Sequence, residues 1–254
     1  MKAKAVIFTG PSAVEFGEVS CPDPGDHDVV VETSTSWISN GTEGSFLRGE
    51  RIEGDVAYRN GDPWPFPIVA GYQKVGVVNH VGKSVTRLKV GDEVFATIGY
   101  VEGLFENYGG QLSLSVSNEE QVFKIPGEEE TGIPADAYSG LVLTQVGYNC
   151  GARPPVEIGN IAVVFGDGMV GQWAAQTLWW RGAHVILLGR HDDRLARFVE
   201  TGNLHAGRKT INTYRDSWEE ELASALDGKS VDVFVDTVGS IDAINSFLPN
   251  MKRF

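Results

Sequence analysis

The chain's clearest chemical signal is the hexapeptide Gly166-Asp167-Gly168-Met169-Val170-Gly171. It follows the apolar run Ile161-Ala162-Val163-Val164-Phe165, which reads as a strand buried on both faces, and precedes a helical stretch from Gln172 to Arg181. At that junction Gly166 can make a tight turn and Gly168 lets the backbone approach a pyrophosphate. Gly171 permits close packing of helix on strand, and the helix N-terminus offers free N–H groups to an anion. A ligand-free βα turn is the plainer use of the same spacing. The next strand, His184-Val185-Ile186-Leu187-Leu188, runs into Gly189-Arg190-His191. An NAD site wants a carboxylate there for the ribose 2′-hydroxyl, whereas Arg190 suits a 2′-phosphate, so the pattern favours NADP(H) over NAD(H). Lys209 and Tyr214, at and just after the following strand, are candidates to approach the same phosphate. The competing reading has Arg190 merely capping the strand or pairing with Asp192 or Asp193.

The elements that must position these residues follow from the surrounding texture. After Pro154-Pro155, strands and helices alternate: a helix from Asp192 to about Thr201, a short strand at Lys209–Ile211, a helix near Trp218–Leu226 and a strand at Val231–Asp236. Such alternation predicts right-handed βαβ units in a doubly wound parallel sheet. The first ~150 residues differ. β-branched residues broken by Gly and Pro predict short strands at the N-terminus, Val29–Thr33, Gly76–Gly82, Val90–Ala96 and Gln121–Pro126, with a helical stretch around Ala135–Val146. The expected fold is therefore α/β, with a β-rich domain over 1–150 and a dinucleotide-binding domain over 151–254.

Bulk properties narrow the function classes. The net charge of −13 disfavours nucleic acid and anionic membranes as partners. The acidic clusters Glu128-Glu129-Glu130 and Glu219-Glu220-Glu221 read as solvated surface. The two cysteines, Cys21 and Cys150, make neither a CxxC pair nor a disulfide framework. With no apolar run near membrane-spanning length, a cytoplasmic protein is expected.

Taken in order along the chain, three further motifs carry a resemblance. The stretch Pro67-Ile68-Val69-Ala70-Gly71-Tyr72-Gln73-Lys74-Val75-Gly76-Val77-Val78, the hairpin Val85 to Val94 with Gly91-Asp92, and Val231 to Gly239 resemble segments of the medium-chain dehydrogenase/reductase superfamily. Ile38-Ser39-Asn40-Gly41-Thr42-Glu43 is similar to a subgroup that includes bacteriochlorophyllide dehydrogenase-like proteins. The resemblance implies a GroES-like catalytic domain followed by a Rossmann domain, with Thr237, Val238 and Gly239 beside the nicotinamide. It also implies what is altered. Positions that hold Cys, His and an acid in zinc-using members carry Ser39, Tyr72 and Gln73, which cannot complete a catalytic zinc site, so no zinc is expected.

A metal-free enzyme must polarise its carbonyl by other means. By resemblance Tyr72 occupies the cleft-facing position and is a candidate donor to a developing alkoxide. Ser39 and Thr42 offer hydroxyls to the same oxygen, and Glu43 can orient them or act as a base. Each has a plainer use: Tyr72 as a half-buried strand residue, and Thr42 with Glu43 as a turn or helix N-cap pair. The aromatic stretch Arg48–Phe66 serves either as a loop shaping substrate choice or as a surface insertion.

The expected activity is NADP(H)-dependent, zinc-independent interconversion of a ketone or aldehyde and an alcohol. The alternatives are reduction of a quinone or enone C=C bond, or nucleotide binding without turnover. The resemblance further implies a C-terminally truncated chain that lacks the last Rossmann strand and the return segment of the catalytic domain. The sheet edge left open admits a homodimer.

Overall fold

The computed structural model describes residues 1–200 and 207–252, and the chain divides into two compact units, Met1–Leu141 and Val142–Phe254. In the first unit β1 (Lys2–Gly10), β2 (Ala13–Ser20), β3 (Asp28–Ser36), α1 (Thr42–Leu47), β4 (Arg51–Glu53), β5 (Val56–Ala57), β6 (Ile68–Val69) and β7 (Lys74–Val81) follow one another. They are succeeded by β8 (Glu93–Ala96), β9 (Gly99–Tyr100), β10 (Tyr108–Gly109), β11 (Leu114–Asn118), β12 (Val122–Lys124), α2 (Glu128–Thr131) and a 3-10 turn at Ala135–Gly140. The principal sheet has the order β11-β3-β7-β8-β12, and a smaller one β2-β1-β6. All pairings in these two sheets are antiparallel. Val29, Val31, Val78, Val94, Ala96 and Val122 form one core of this unit. Ala3, Ala5, Val19, Val30, Val69, Leu112 and Val116 form another. The aromatic stretch after Arg48 holds the β4-β5 pair and a stacked Tyr58–Trp64 contact with ring centroids 4.8 Å apart.

The second unit contains α3 (Leu141–Ala152), β13 (Ile161–Phe165), α4 (Met169–Trp180), β14 (His184–Gly189), α5 (Asp192–Glu200), β15 (Arg208–Asn212), α6 (Trp218–Leu226), β16 (Val233–Asp236) and α7 (Ile241–Phe247). Its four strands are all parallel in the order β15-β14-β13-β16. Both faces are covered, which is why the strands are apolar throughout. Val164, Leu178, Leu187 and Phe198 pack on one side, and Val163, Ile186, Leu188 and Phe247 on the other. Past α7, Met251 forms a parallel bridge with Val231.

Two boundaries depart from the expectation. The units part at Leu141, earlier than residue 150, because α3 packs within the second unit. Its Gly147 and Gly151 lie so close to α4 that an added Cβ would meet the Val170 and Ala174 carbonyls at 2.6 and 2.7 Å. Helix α4 begins at Met169 instead of Gln172, so the last residues of the glycine motif form its first turn. The end expected for the helix near Thr201 lies outside the described residues, as does His205.

Candidate active site and cofactor loop

The glycine loop lies at the carboxyl end of β13, where the chain order turns from β14 on one side to β16 on the other. Open parallel sheets take ligands at such a switch point. Gly166 has φ +121°, a conformation that disfavours any side chain, and a Cβ there would lie 2.2 Å from Thr237 Oγ1. A Cβ on Gly171 would lie 1.8 Å from the Gly166 carbonyl oxygen. Gly168 is the N-cap of α4, with no side-chain cap and nothing within 4 Å of where its Cβ would stand. The first turn of the helix, including Met169 and Val170, thus presents uncapped N–H groups beside open space. That arrangement fits a dinucleotide pyrophosphate.

At the end of β14 the loop and strand are tied together by Asp167. Its Oδ2 accepts the N–H of Arg190 at 2.7 Å and of His191 at 2.8 Å. The His191 ring Nδ1 lies 3.0 Å from the same oxygen and 3.1 Å from Oδ1, with Arg194 Nη1 at 3.7 Å. Burial opposes the charged form of Asp167, but the hydrogen bonds from His191 and Arg190 and the His191 charge outweigh it. The carboxyl is held below its usual range. A Cβ on Gly189 would fall 2.4 Å from the Asp167 Cβ and Oδ2. The Arg190 guanidinium, exposed, lies 5.6 Å from the ring centroid of Tyr214, itself 72% exposed, and has no carboxylate partner among the described residues. Asp192, one alternative partner for it, instead contacts Arg215 and Asn212.

Lys209 does not join this group. Parallel register sets Asn212 beside Gly189 and Lys209 beside Ile186, which puts Lys209 about 10 Å back along the strand. There it lines a cavity of about 480 Å³ with His184, Gly159 and Lys229. Beside the loop, Thr237 donates through both its N–H and its hydroxyl to the Phe165 carbonyl. The Asp236 carboxylate accepts the N–H groups of Val238, Gly239 and Ser240, which fixes the turn that follows β16.

In the first unit, Ser39 and Glu43 are both 4% exposed. The Ser39 carbonyl accepts the Glu43 N–H at 2.9 Å, and Glu43 Oε2 accepts the Ser39 N–H at 2.6 Å. Glu43 Oε1 accepts Gln111 Nε2 at 2.9 Å, and Ser36 donates to the Gln111 oxygen. Burial pushes the Glu43 carboxyl up, against these two hydrogen bonds. Gln111 also packs on Gly71, whose φ of +92° disfavours a side chain and where an added Cβ would lie 2.9 Å from the Gln111 side chain. Glu43 is thereby linked through Gln111 to the residue preceding Tyr72. Tyr72 is half-buried, and its hydroxyl has no hydrogen-bond partner among the described residues. Thr42 is the first residue of α1, whose N-cap is Gly41, so the pairing of Thr42 with Glu43 as a cap does not form.

Three residues had structural roles not legible in the sequence: Gln111 and Lys74 in the first unit, and Asp236 in the second. Gln111 belongs to no motif, and Asp236 sits in one only as a strand-end acid. Lys74 is fully buried, donates from Nζ to the Thr97 carbonyl at 2.6 Å, and is pushed down to about 7 by desolvation. Its neighbour Gln73 is 1% exposed, and neither atom of its amide has a hydrogen-bond partner. Among the described residues no group of three metal-ligating side chains comes together.

Residues 25–127 match the alcohol dehydrogenase GroES-like domain. The chain aligns over its whole length, at 25% identity, with 73% of D-arabitol-phosphate dehydrogenase from Enterococcus avium. An L-threonine 3-dehydrogenase from Vibrio atlanticus matches equally, at 25% identity over 100% of this chain and 75% of its own length. Along its whole length the chain is similar to members of the medium-chain dehydrogenase/reductase superfamily. It is an oxidoreductase of the medium-chain alcohol dehydrogenase type. Part of this medium-chain dehydrogenase, 46% of its length, is 32% identical to 36% of 2-desacetyl-2-hydroxyethyl bacteriochlorophyllide A dehydrogenase from Rhodobacter capsulatus. In fold it is similar to quinone oxidoreductase from Pseudomonas syringae (TM-score 0.73, 24% identity, 98% of this chain and 70% of that one). Escherichia coli quinone oxidoreductase, solved with NADPH, is another such neighbour (TM-score 0.70, 20% identity, 100% and 71%). No helix among the described residues is long and apolar enough to cross a membrane.

Proposed function

We propose that this medium-chain dehydrogenase uses NADP(H), without zinc, to interconvert a ketone or aldehyde and the corresponding alcohol. The observation that carries the cofactor choice is the exposed Arg190 guanidinium, free of any described carboxylate and set against Tyr214 at the end of β14. A guanidinium in that place suits a 2′-phosphate bidentately. The glycine loop and the α4 N-terminus would hold the pyrophosphate, with Thr237, Val238 and Gly239 alongside the nicotinamide. The bound nicotinamide supplies or accepts the hydride. Zinc does not fit the donor set, since Ser39, Tyr72 and Gln73 are too weak as ligands to complete a catalytic site.

The protein's own task is then to manage the substrate oxygen. Tyr72 has an unengaged hydroxyl and serves as the proton donor to the developing alkoxide. The hydroxyls of Ser39 and Thr42 are assigned to orient the same oxygen. Glu43 acts as a positioning residue, because both its oxygens are committed to Ser39 and Gln111. The substrate is a small carbonyl compound or alcohol.

The test is a titration of tryptophan fluorescence with NADPH and NADH, then turnover. NADPH should bind more tightly, and Arg190→Ala should lose about 1.5–3 kcal/mol of NADPH binding with little effect on NADH. Carbonyl reduction should survive EDTA and fall about 100-fold or more in Tyr72→Phe. Equal binding of the two cofactors, or a fully active Tyr72→Phe, refutes the corresponding half of the reading.

A further inference from the structure

We infer that Asp167 is the positioning residue for cofactor choice: a carboxylate carried on the glycine loop braces the Gly189–His191 backbone and so aims Arg190 at the cofactor's 2′-phosphate. The inference rests on the NADP(H) reading above. It runs against the simplest electrostatic expectation, in which any carboxylate near a 2′-phosphate repels it and selects NAD(H).

Three observations favour the brace. The carboxylate is turned inward, only 7% exposed, and one of its oxygens accepts two consecutive backbone N–H groups, those of Arg190 and His191. The cationic or polarisable groups facing it, the His191 ring at 3.0 Å and Arg194 at 3.7 Å, compensate its charge. Its position also excludes any strand-end acid, because a side chain on Gly189 would overlap the Asp167 carboxylate. From the other side, Thr213 donates to the Gly189 carbonyl through both N–H and hydroxyl. The Gly189–His191 turn is therefore fixed on both flanks while the Arg190 side chain itself is left unengaged by any acid, ready for an external anion. A carboxylate meant to read a ribose hydroxyl would need a free lone pair facing outward. Asp167 spends its lone pairs on the protein instead.

The experiment separates brace from charge by measuring dissociation constants for NADPH and NADH in the whole chain as wild type, Asp167→Ala, Asp167→Asn, Arg190→Ala and the Asp167→Ala/Arg190→Ala double variant. Asparagine keeps one oxygen able to accept both backbone N–H groups but removes the charge. If Asp167 is a brace, Asp167→Asn retains the preference for NADPH. Asp167→Ala weakens NADPH by about tenfold or more and NADH by less than about threefold. Adding Arg190→Ala to Asp167→Ala then costs no further NADPH affinity, since the two act through one contact. A preference that depends on Arg190 but persists or strengthens in both Asp167 variants overturns the inference and leaves the cofactor reading standing. Equal weakening of NADPH and NADH by Asp167→Ala also overturns it, as the mark of a general structural role. A wild type that prefers NADH and loses that preference in Asp167→Ala overturns both, because the carboxylate would then read the ribose itself. Should Asp167→Ala fail to fold, loss of the NADPH preference in Asp167→Asn overturns the brace, and its retention alongside loss in Arg190→Ala supports it.

Discussion

Replacing Lys74 by methionine should change the pH dependence of stability more than any other single substitution in the β-rich unit. Lys74 is wholly enclosed, and desolvation brings its amine from an ordinary 10.5 to about 7. Between those values the unfolded chain holds a proton that the folded chain has released, so stability rises with pH across that window. Below about 7 both states are protonated, and the folded chain carries the full cost of a buried ammonium. At about 1.4 kcal/mol per pH decade the whole window spans roughly 5 kcal/mol, of which about 2 kcal/mol is recovered between pH 7 and 9. Lys74→Met removes that dependence at similar side-chain volume, while leaving the Thr97 carbonyl without its donor at about 1–3 kcal/mol. Urea unfolding at half-unit pH steps from 7 to 10 provides the assay. The wild type should gain about 1 M in midpoint by pH 9 relative to the variant, for a slope near 2 kcal/mol per molar urea. Parallel midpoints for the two proteins across this range would refute the reasoning, and show that Lys74 stays charged in the fold.

Two further substitutions test the loop and the Glu43 cluster. Gly171→Ala sets a methyl 1.8 Å from the Gly166 carbonyl oxygen, so the loop must shift; nicotinamide cofactor binding should fall at least tenfold, as read by fluorescence titration. Glu43→Ala leaves the Ser39 N–H and the Gln111 amide without their acceptor, and should lower stability by about 2–4 kcal/mol in thermal or urea unfolding, whatever its effect on turnover.

Sequence made the Rossmann half the more legible of the two. Its strands are buried on both faces, so Ile161–Phe165 and His184–Leu188 stand out as continuous apolar runs, and the glycine motif punctuates the first of them. Register across a parallel sheet is a non-local property: sequence puts Lys209 at the next strand and so within reach of the same phosphate, whereas the pairing of Gly189 with Asn212 sets it well back from the strand end. The place of α3 in the second unit is non-local in the same way. The features that bind it to α4 are two glycines, which carry no hydrophobic signal. In the β-rich half the motifs located Ser39, Glu43 and Tyr72, but the link among them runs through Gln111, some 70 residues away from Glu43 and invisible to any local pattern. Asp167 was legible as part of the motif but not for what it touches, since its shortest contacts are to backbone N–H groups at the end of the next strand, which have no residue identity.

The overlap between a side chain at position 189 and the carboxylate of Asp167 makes these two sites epistatic. A library that varies position 189 alone would score nearly every residue as damaging and mark the site as intolerant, and a scan of position 167 alone would lose the brace in every residue unable to accept the Arg190 and His191 N–H groups. An acid can be moved from the loop to the strand end only if both positions change, with glycine entering at 167 before or together with the acid at 189, because the Asp167 Cβ alone would lie 2.4 Å from a Cβ at 189. Re-engineering the cofactor preference of this chain is for that reason a search over pairs, in which the change at 167 must not come second.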